Sequence, residues 1–180
     1  MWFKANSLPN NWNAALVSKM GTGWDGYIAA ISTMAADDGS GNMTSGGLQT
    51  TSWVGGSNPT ANNRAAPSGG ISLNTWHHVT YVMPATGDYK MYFNGVEVHS
   101  YVPTARNTST SGELRIGAWF NGSYSGYFNG QIDGLSFTKS VKSAQDIHDE
   151  YTGGIGTSDS SSYLESSATL YGDANLSNGS

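Results

Sequence analysis

The sequence predicts an all-β fold: a two-sheet antiparallel sandwich with one short C-terminal helix. Three observations predict it. Short runs of β-branched and aromatic residues recur between Asn74 and Thr138, with glycine or asparagine at or near their ends: Trp76–Val79, Tyr89–Gly95, Leu114–Gly117 and Phe128–Phe137. Turn formers are abundant, with 24 glycines and five prolines in 180 residues, which suits tight connections better than long helices. Over Ile71–Pro84 the pattern has period two. His77, Val79, Tyr81 and Met83 share one face and Trp76, His78, Thr80 and Val82 the other.

In chain order, Trp2-Phe3-Lys4 reads as the end of a strand and Asn6–Asn13 as a turn-rich connection. Ala14–Met20 is a second strand, and Trp24–Met34 a third after the Gly21-Thr22-Gly23 turn. Residues 35–70 alternate weak strands (Met43–Val54) with the loops Asp37–Asn42 and Gly55–Gly70. Bulk on both faces of Ile71–Pro84 marks a strand covered on its two sides. Met91-Tyr92-Phe93 and Val96-Glu97-Val98 flank Asn94-Gly95, the preferred two-residue type I′ turn, whose central residues both need positive φ. Glu113–Phe120 and Tyr127–Lys139 supply two more strands around the aromatic loop Asn121–Gly126. Ser143 with Asp146 at N3 fits a helix N-cap, leading into a helix to about Tyr151. Residues 1–151 form one domain on this reading. Residues 152–180 form a polar Gly/Ser-rich linker or arm, with a strand around Tyr163–Leu170 that docks elsewhere.

Bulk properties narrow the function. A chain of 180 residues fits one domain and buries roughly 70% of its unfolded surface. Only 12% of residues are charged, about half the usual share. A net charge of −5 and eight scattered Lys and Arg argue against nucleic acid, which demands a clustered positive field. No cysteine is present, which excludes disulfides and thiolate zinc sites. No apolar run approaches the ~20 residues of a membrane span. The opening Met1-Trp2-Phe3-Lys4 carries no signal-peptide pattern.

Taken together, Trp76–Val79, Met91–Gly95, Leu114–Gly117, Phe128–Leu135 and Ser143–Tyr151 resemble the motif order of laminin G-like domains in the concanavalin A-like lectin/glucanase superfamily. Those domains have a Trp-x-His-Val strand, a hairpin, a Leu-x-Ile-Gly strand, then Phe-x-Gly-x-Ile-Asp and a short helix. Ala15–Lys19 and Trp2-Phe3 match the early strands, so the likeness covers about Trp2–Tyr151. It implies a jelly-roll sandwich that binds at an exterior surface, cell or virion, without catalysing a reaction. Family members begin with a strand or two before the equivalent of Trp2-Phe3-Lys4. Their absence here predicts an exposed sheet edge and a slot in the core. The slot would be filled by upstream residues, by the arm around Ser162–Leu170, or by a neighbouring subunit.

The glucanases of this superfamily carry a Glu-x-Asp-x-x-Glu strand, which this sequence lacks, so no catalytic residues are assigned. His77 and His78 are neighbours on a strand and point to opposite faces, so they cannot chelate one ion. One packed and one surface histidine is the expectation. The resemblance implies a structural calcium at Asp133, with Asp25 and Asp88 as further candidates; the plain alternative is that Asp133 caps a turn or receives backbone donors. Sugar rings stack on Trp and Tyr while Asn and Asp bond their hydroxyls. Trp24, Trp53, Tyr124, Tyr127 and Asn121 are therefore the candidate ligand residues. Trp119 and Phe120 are expected in the core and Tyr124 on the surface. The expected function is a carbohydrate-binding or adhesion module recognising a glycan or glycoprotein. The alternative is a structural or decoration protein of a phage virion or bacterial surface layer. Such a protein would pair strands or arms with a protein partner or a second copy.

Overall fold

The computed structural model describes residues 1–9, 13–23, 25–32, 36–37, 43–44, 46–53, 63–65, 67–103, 106, 112–154 and 169–170. Its strands are β1 (Trp2–Ala5), β2 (Asn13–Gly21), β3 (Asp25–Ser32), β4 (Ala36–Asp37), β5 (Met43–Thr44), β6 (Gly47–Trp53) and β7 (Asn63–Ala65). They continue with β8 (Trp76–Val82), β9 (Tyr89–Phe93), β10 (Val96–Tyr101), β11 (Glu113–Ile116), β12 (Trp119–Phe120), β13 (Tyr124–Ser125) and β14 (Gly130–Asp133). The helix α1 (Ala144–Gly153) follows, then β15 (Thr169–Leu170). Two sheets dominate, one in the order β10-β9-β8-β1-β14 and one in the order β15-β11-β2-β3-β6-β7. Pairing within them is antiparallel except where β15 joins β11 in parallel.

Strand alternation explains the core. Phe3, Leu16, Ile31, Leu48, Val79, Met91, Ile116 and Ile132 point between the sheets and form one cluster. In β2 the register slips between Ala15 and Val17. This bulge lets Val17 face inward after Leu16, against Ala29 and Leu114. The opposite face of β2 and β3 is apolar too: Ala15, Met20, Ile28 and Ala30 form a second cluster with Trp119 packed on it.

The locally encoded elements match their prediction. Asn94 and Gly95 have φ of 49° and 78°, as the type I′ turn requires. Ser143 and Asp146 form a reciprocal capping box at the start of α1. The expected surface histidine is not found, because both histidines are buried. His77 lies between Phe3 and Phe93, with Nε2 3.1 Å from the Ser72 carbonyl. His78, 3% exposed, is covered by Trp2 and by Tyr151 of α1. Burial pushes its pKa down to about 3, helped by the neighbouring N-terminal ammonium and Lys142.

Two strand extents also differ from expectation. Residues 71–75 form a turn with Asn74 at φ 57° instead of the start of β8. The expected Tyr127–Lys139 strand is paired only over Gly130–Asp133. Trp2, the first residue of β1, stands opposite Asp133, and among the described residues no strand pairs beyond that point. In the weak middle, β6 is a full strand of the larger sheet, while Ala36–Asp37 and Met43–Thr44 form only a small ribbon. Thr169–Leu170 of the arm pairs with Arg115–Ile116 at the edge of the larger sheet.

Candidate functional site

The aromatic segment after β11 folds back over the outer face of the larger sheet. Main-chain bonds fasten it to β2. The Gly117 amide donates to Leu16 O at 3.1 Å and the Ala15 amide donates to Gly126 O at 2.9 Å. Ser18 Oγ donates to the Ala118 carbonyl at 2.8 Å. Trp119 and Phe120 pair with Ser125 and Tyr124. The tip turns through Gly122 at φ 82°, with the Asn121 amide donating to Ser123 O at 3.2 Å. The result is a short hairpin standing on a rigid sheet.

Trp119 anchors it. Its indole covers the second apolar cluster, and Nε1 donates to Asn13 Oδ1 at 3.0 Å. Glycine is required at position 126, since a Cβ there would lie 2.1 Å from Trp119 Nε1.

Arg115 holds the hairpin from beneath. It occupies the outer face of β11 and is 5% exposed. Nη1 donates to Met20 O at 2.9 Å and Nη2 to Glu113 Oε2 at 3.1 Å. The guanidinium carbon lies 4.8 Å from the Phe120 ring centre and 5.7 Å from that of Tyr124. A planar, always charged guanidinium can serve two rings at once in this way. The Phe120 and Tyr124 rings also meet at 5.0 Å.

The tip meets a second loop. Asn121 Oδ1 accepts the Gly23 amide at 3.0 Å, which ties the hairpin to the β2–β3 turn next to Trp24. Trp24 itself lies outside the described residues. Trp53 ends β6 opposite Gly26, and its side chain lies outside the described residues. Tyr124 and Tyr127 are 39% and 56% exposed. Of the ligand residues named from sequence, Asn121 and Tyr124 share the hairpin tip, and Tyr127 follows it. Phe120, expected in the core, is only half-buried and meets the Tyr124 ring at a tilt of 56° instead.

Arg115 escaped the sequence reading because it looked like one more scattered cation. The alternation Leu114-Arg115-Ile116 was the available signal: flanking residues point inward, so Arg115 must point outward, towards whatever follows Gly117.

Asp133 and Asp25 lie on different sheets. Asp133 Oδ1 accepts the Gly134 amide at 2.7 Å, so this carboxylate receives a backbone donor. Among the described residues no three Asp, Glu or His side chains converge as metal ligands. Calcium takes six to eight oxygens, and a site at Asp133 would draw mainly on main-chain carbonyls.

A family model described as the concanavalin A-like lectin/glucanase superfamily, of the laminin G type, matches residues 1–148. Comparison with curated proteins and with solved structures gave no match.

Proposed function

Because this chain belongs to the concanavalin A-like lectin/glucanase superfamily, we propose that it is a non-catalytic module that binds glycans at an exterior surface through the β12–β13 hairpin. One observation carries the reading: Tyr124 offers an exposed ring whose position is fixed by Phe120 and Arg115. A preorganised aromatic platform costs little ordering entropy on binding. Asn121, Ser123 and Tyr127 surround it with polar groups able to meet sugar hydroxyls. The sequence carries no Glu-x-Asp-x-x-Glu strand to hydrolyse what is bound. No helix among the described residues is long and apolar enough to cross a membrane.

The test is a glycan array followed by affinity measurement on the retained sugar. Tyr124→Ala should weaken binding at least tenfold, about 1.4 kcal/mol, with Tm held within a few degrees. Tyr127→Ala should weaken it less. No retained glycan, or a Tyr124→Ala protein that binds as the parent does, overturns the proposal.

We assign calcium a structural role at Asp133, apart from recognition. Chelation should then lower Tm by a few degrees, and Asp133→Asn should abolish that response while leaving glycan affinity unchanged. A melting curve indifferent to calcium in the parent protein removes the ion from this account.

A further inference from the structure

Asn-Gly pairs occur at Asn94, Asn121, Asn129 and Asn178. Such a pair can react with itself. The glycine nitrogen attacks the asparagine side-chain carbon, ammonia leaves, and water reopens the cyclic imide. Any other residue in the second place shields that nitrogen with its Cβ; glycine leaves it open. In a folded chain the rate is set by whether the side chain can reach the next nitrogen and whether water can reach both. Asn178 lies outside the described residues. The other three stand in different surroundings.

At Asn94 and Asn129 the fold opposes the attack. Asn94 Oδ1 accepts the His78 amide at 2.9 Å, and the Asn94 amide donates to His78 O at 2.8 Å. Gly95 beside it is buried under α1, where a Cβ would lie 3.0 Å from the Tyr151 ring and 3.2 Å from His148 Nδ1. The Asn129 carboxamide is held at both ends. Its Oδ1 accepts from Asn6 Nδ2 at 3.2 Å and its Nδ2 donates to Ser7 Oγ at 3.1 Å. Gly130 is buried in the β1–β14 ladder opposite Ala5.

At Asn121 the fold favours it. Gly122 is exposed at the hairpin tip, with nothing within 4 Å of the place a Cβ would take. Among the described residues no main-chain hydrogen bond holds its amide. Asn121 Oδ1 accepts the Gly23 amide at 3.0 Å. That donor draws electron density from the carboxamide carbon and steadies the oxyanion formed on attack.

We propose that Asn121 is a self-modifying site, converting with time to aspartate and isoaspartate. Hydroxide takes the Gly122 amide proton, the bond from that nitrogen to Asn121 Cγ forms, and the Cγ–Nδ2 bond breaks as ammonia departs with a proton from water. Water then adds to the imide. Opening at Cγ leaves aspartate; opening at the main-chain carbonyl leaves isoaspartate, whose chain runs through Cβ and Cγ. The balance is one water in and one ammonia out, with no redox change. Either product adds a negative charge. Isoaspartate also lengthens the main chain at the tip and withdraws the acceptor held by Gly23, so the hairpin loses its tie to the β2–β3 turn beside Tyr124. On the glycan reading, on which this consequence rests, the reaction is a slow off-switch for recognition.

The full chain is incubated at pH 7 and at pH 8, and its peptides are mapped by mass spectrometry, with isoaspartyl methyltransferase labelling to count isoaspartate. Conversion at Asn121 should run at least about tenfold faster than at Asn94 or Asn129, rise with hydroxide, and slow sharply in Gly122→Ala. In urea the three rates should converge, because the surroundings that distinguish them are gone. Equal rates in the folded chain, an unchanged rate in Gly122→Ala, or a lead for Asn121 that persists in urea each overturns the proposal. The converted fraction, separated by charge, should bind the array-selected glycan at least about tenfold more weakly. Conversion with undiminished glycan binding overturns the off-switch and counts against the hairpin as the sugar site, while the chemistry at Asn121 stands.

Discussion

Gly26→Ala is expected to remove a large part of the stability of the fold. Gly26 stands in β3 opposite Met20 and Trp53, in the middle of the larger sheet. Its φ is 140°, a region that L side chains enter only with strain of about 1–3 kcal/mol. The space is closed as well. A Cβ there would lie 1.9 Å from Lys19 O and 2.8 Å from Met20 Cα. Both atoms belong to main chain held in the β2–β3 ladder, so no rotamer change can relieve the overlap. The combined cost should exceed about 4 kcal/mol, against a typical total stability of 5–15 kcal/mol. Gly122→Ala is the matched control. Its φ is 82° and nothing lies within 4 Å of the added carbon, so only the backbone term of about 1 kcal/mol applies. Urea denaturation of both variants checks the pair. A Gly26→Ala protein that unfolds as late as Gly122→Ala would show that β2 and β3 do not pair in this register.

Acid is expected to destabilise the fold well before the carboxylates titrate. The pKa of His78 falls from 6.5 to about 3 on folding, chiefly through burial, and among the described residues its Nδ1 has no hydrogen-bond partner. The unfolded chain therefore takes up a proton near pH 6.5 that the folded chain refuses until about pH 3. The stability is full above pH 6.5 and falls as the pH drops from 6.5 towards 3. At pH 5 the His78 contribution amounts to about 2 kcal/mol. Urea midpoints at pH 6.5, 5.5 and 5 should fall steadily, and His78→Gln should flatten the slope below pH 6.5. Midpoints constant down to pH 5 would mean that α1 does not cover His78.

What the sequence made legible was what neighbours in the chain decide. Asn94-Gly95 dictates its own turn, Ser143 and Asp146 cap their own helix, and alternation in Trp76–Val82 orients both histidines. What it hid depends on distant segments. One histidine of the pair was expected at the surface because the helix that covers His78 begins only at Ala144. The expected strand shortened to Gly130–Asp133 because strand pairing depends on the neighbour opposite, and β1 pairs with it only from Trp2 to Ala5. The bulge after Ala15 left no mark on an all-apolar run, since either face could be the inner one. At the hairpin, composition showed the rings but not their support: Arg115 precedes Tyr124 by nine residues and meets it only because Gly117 and Gly126 return the chain to β2.

The hairpin claim is tested most directly by titrating ¹⁵N-labelled protein with a glycan that the array retains and following amide and indole resonances. Shifts should concentrate at Asn121–Tyr127, the Trp119 indole and Gly23, with residues 79–86 and 135–142 unmoved. Shifts centred on those two segments, or spread over β9 and β10, would contradict it.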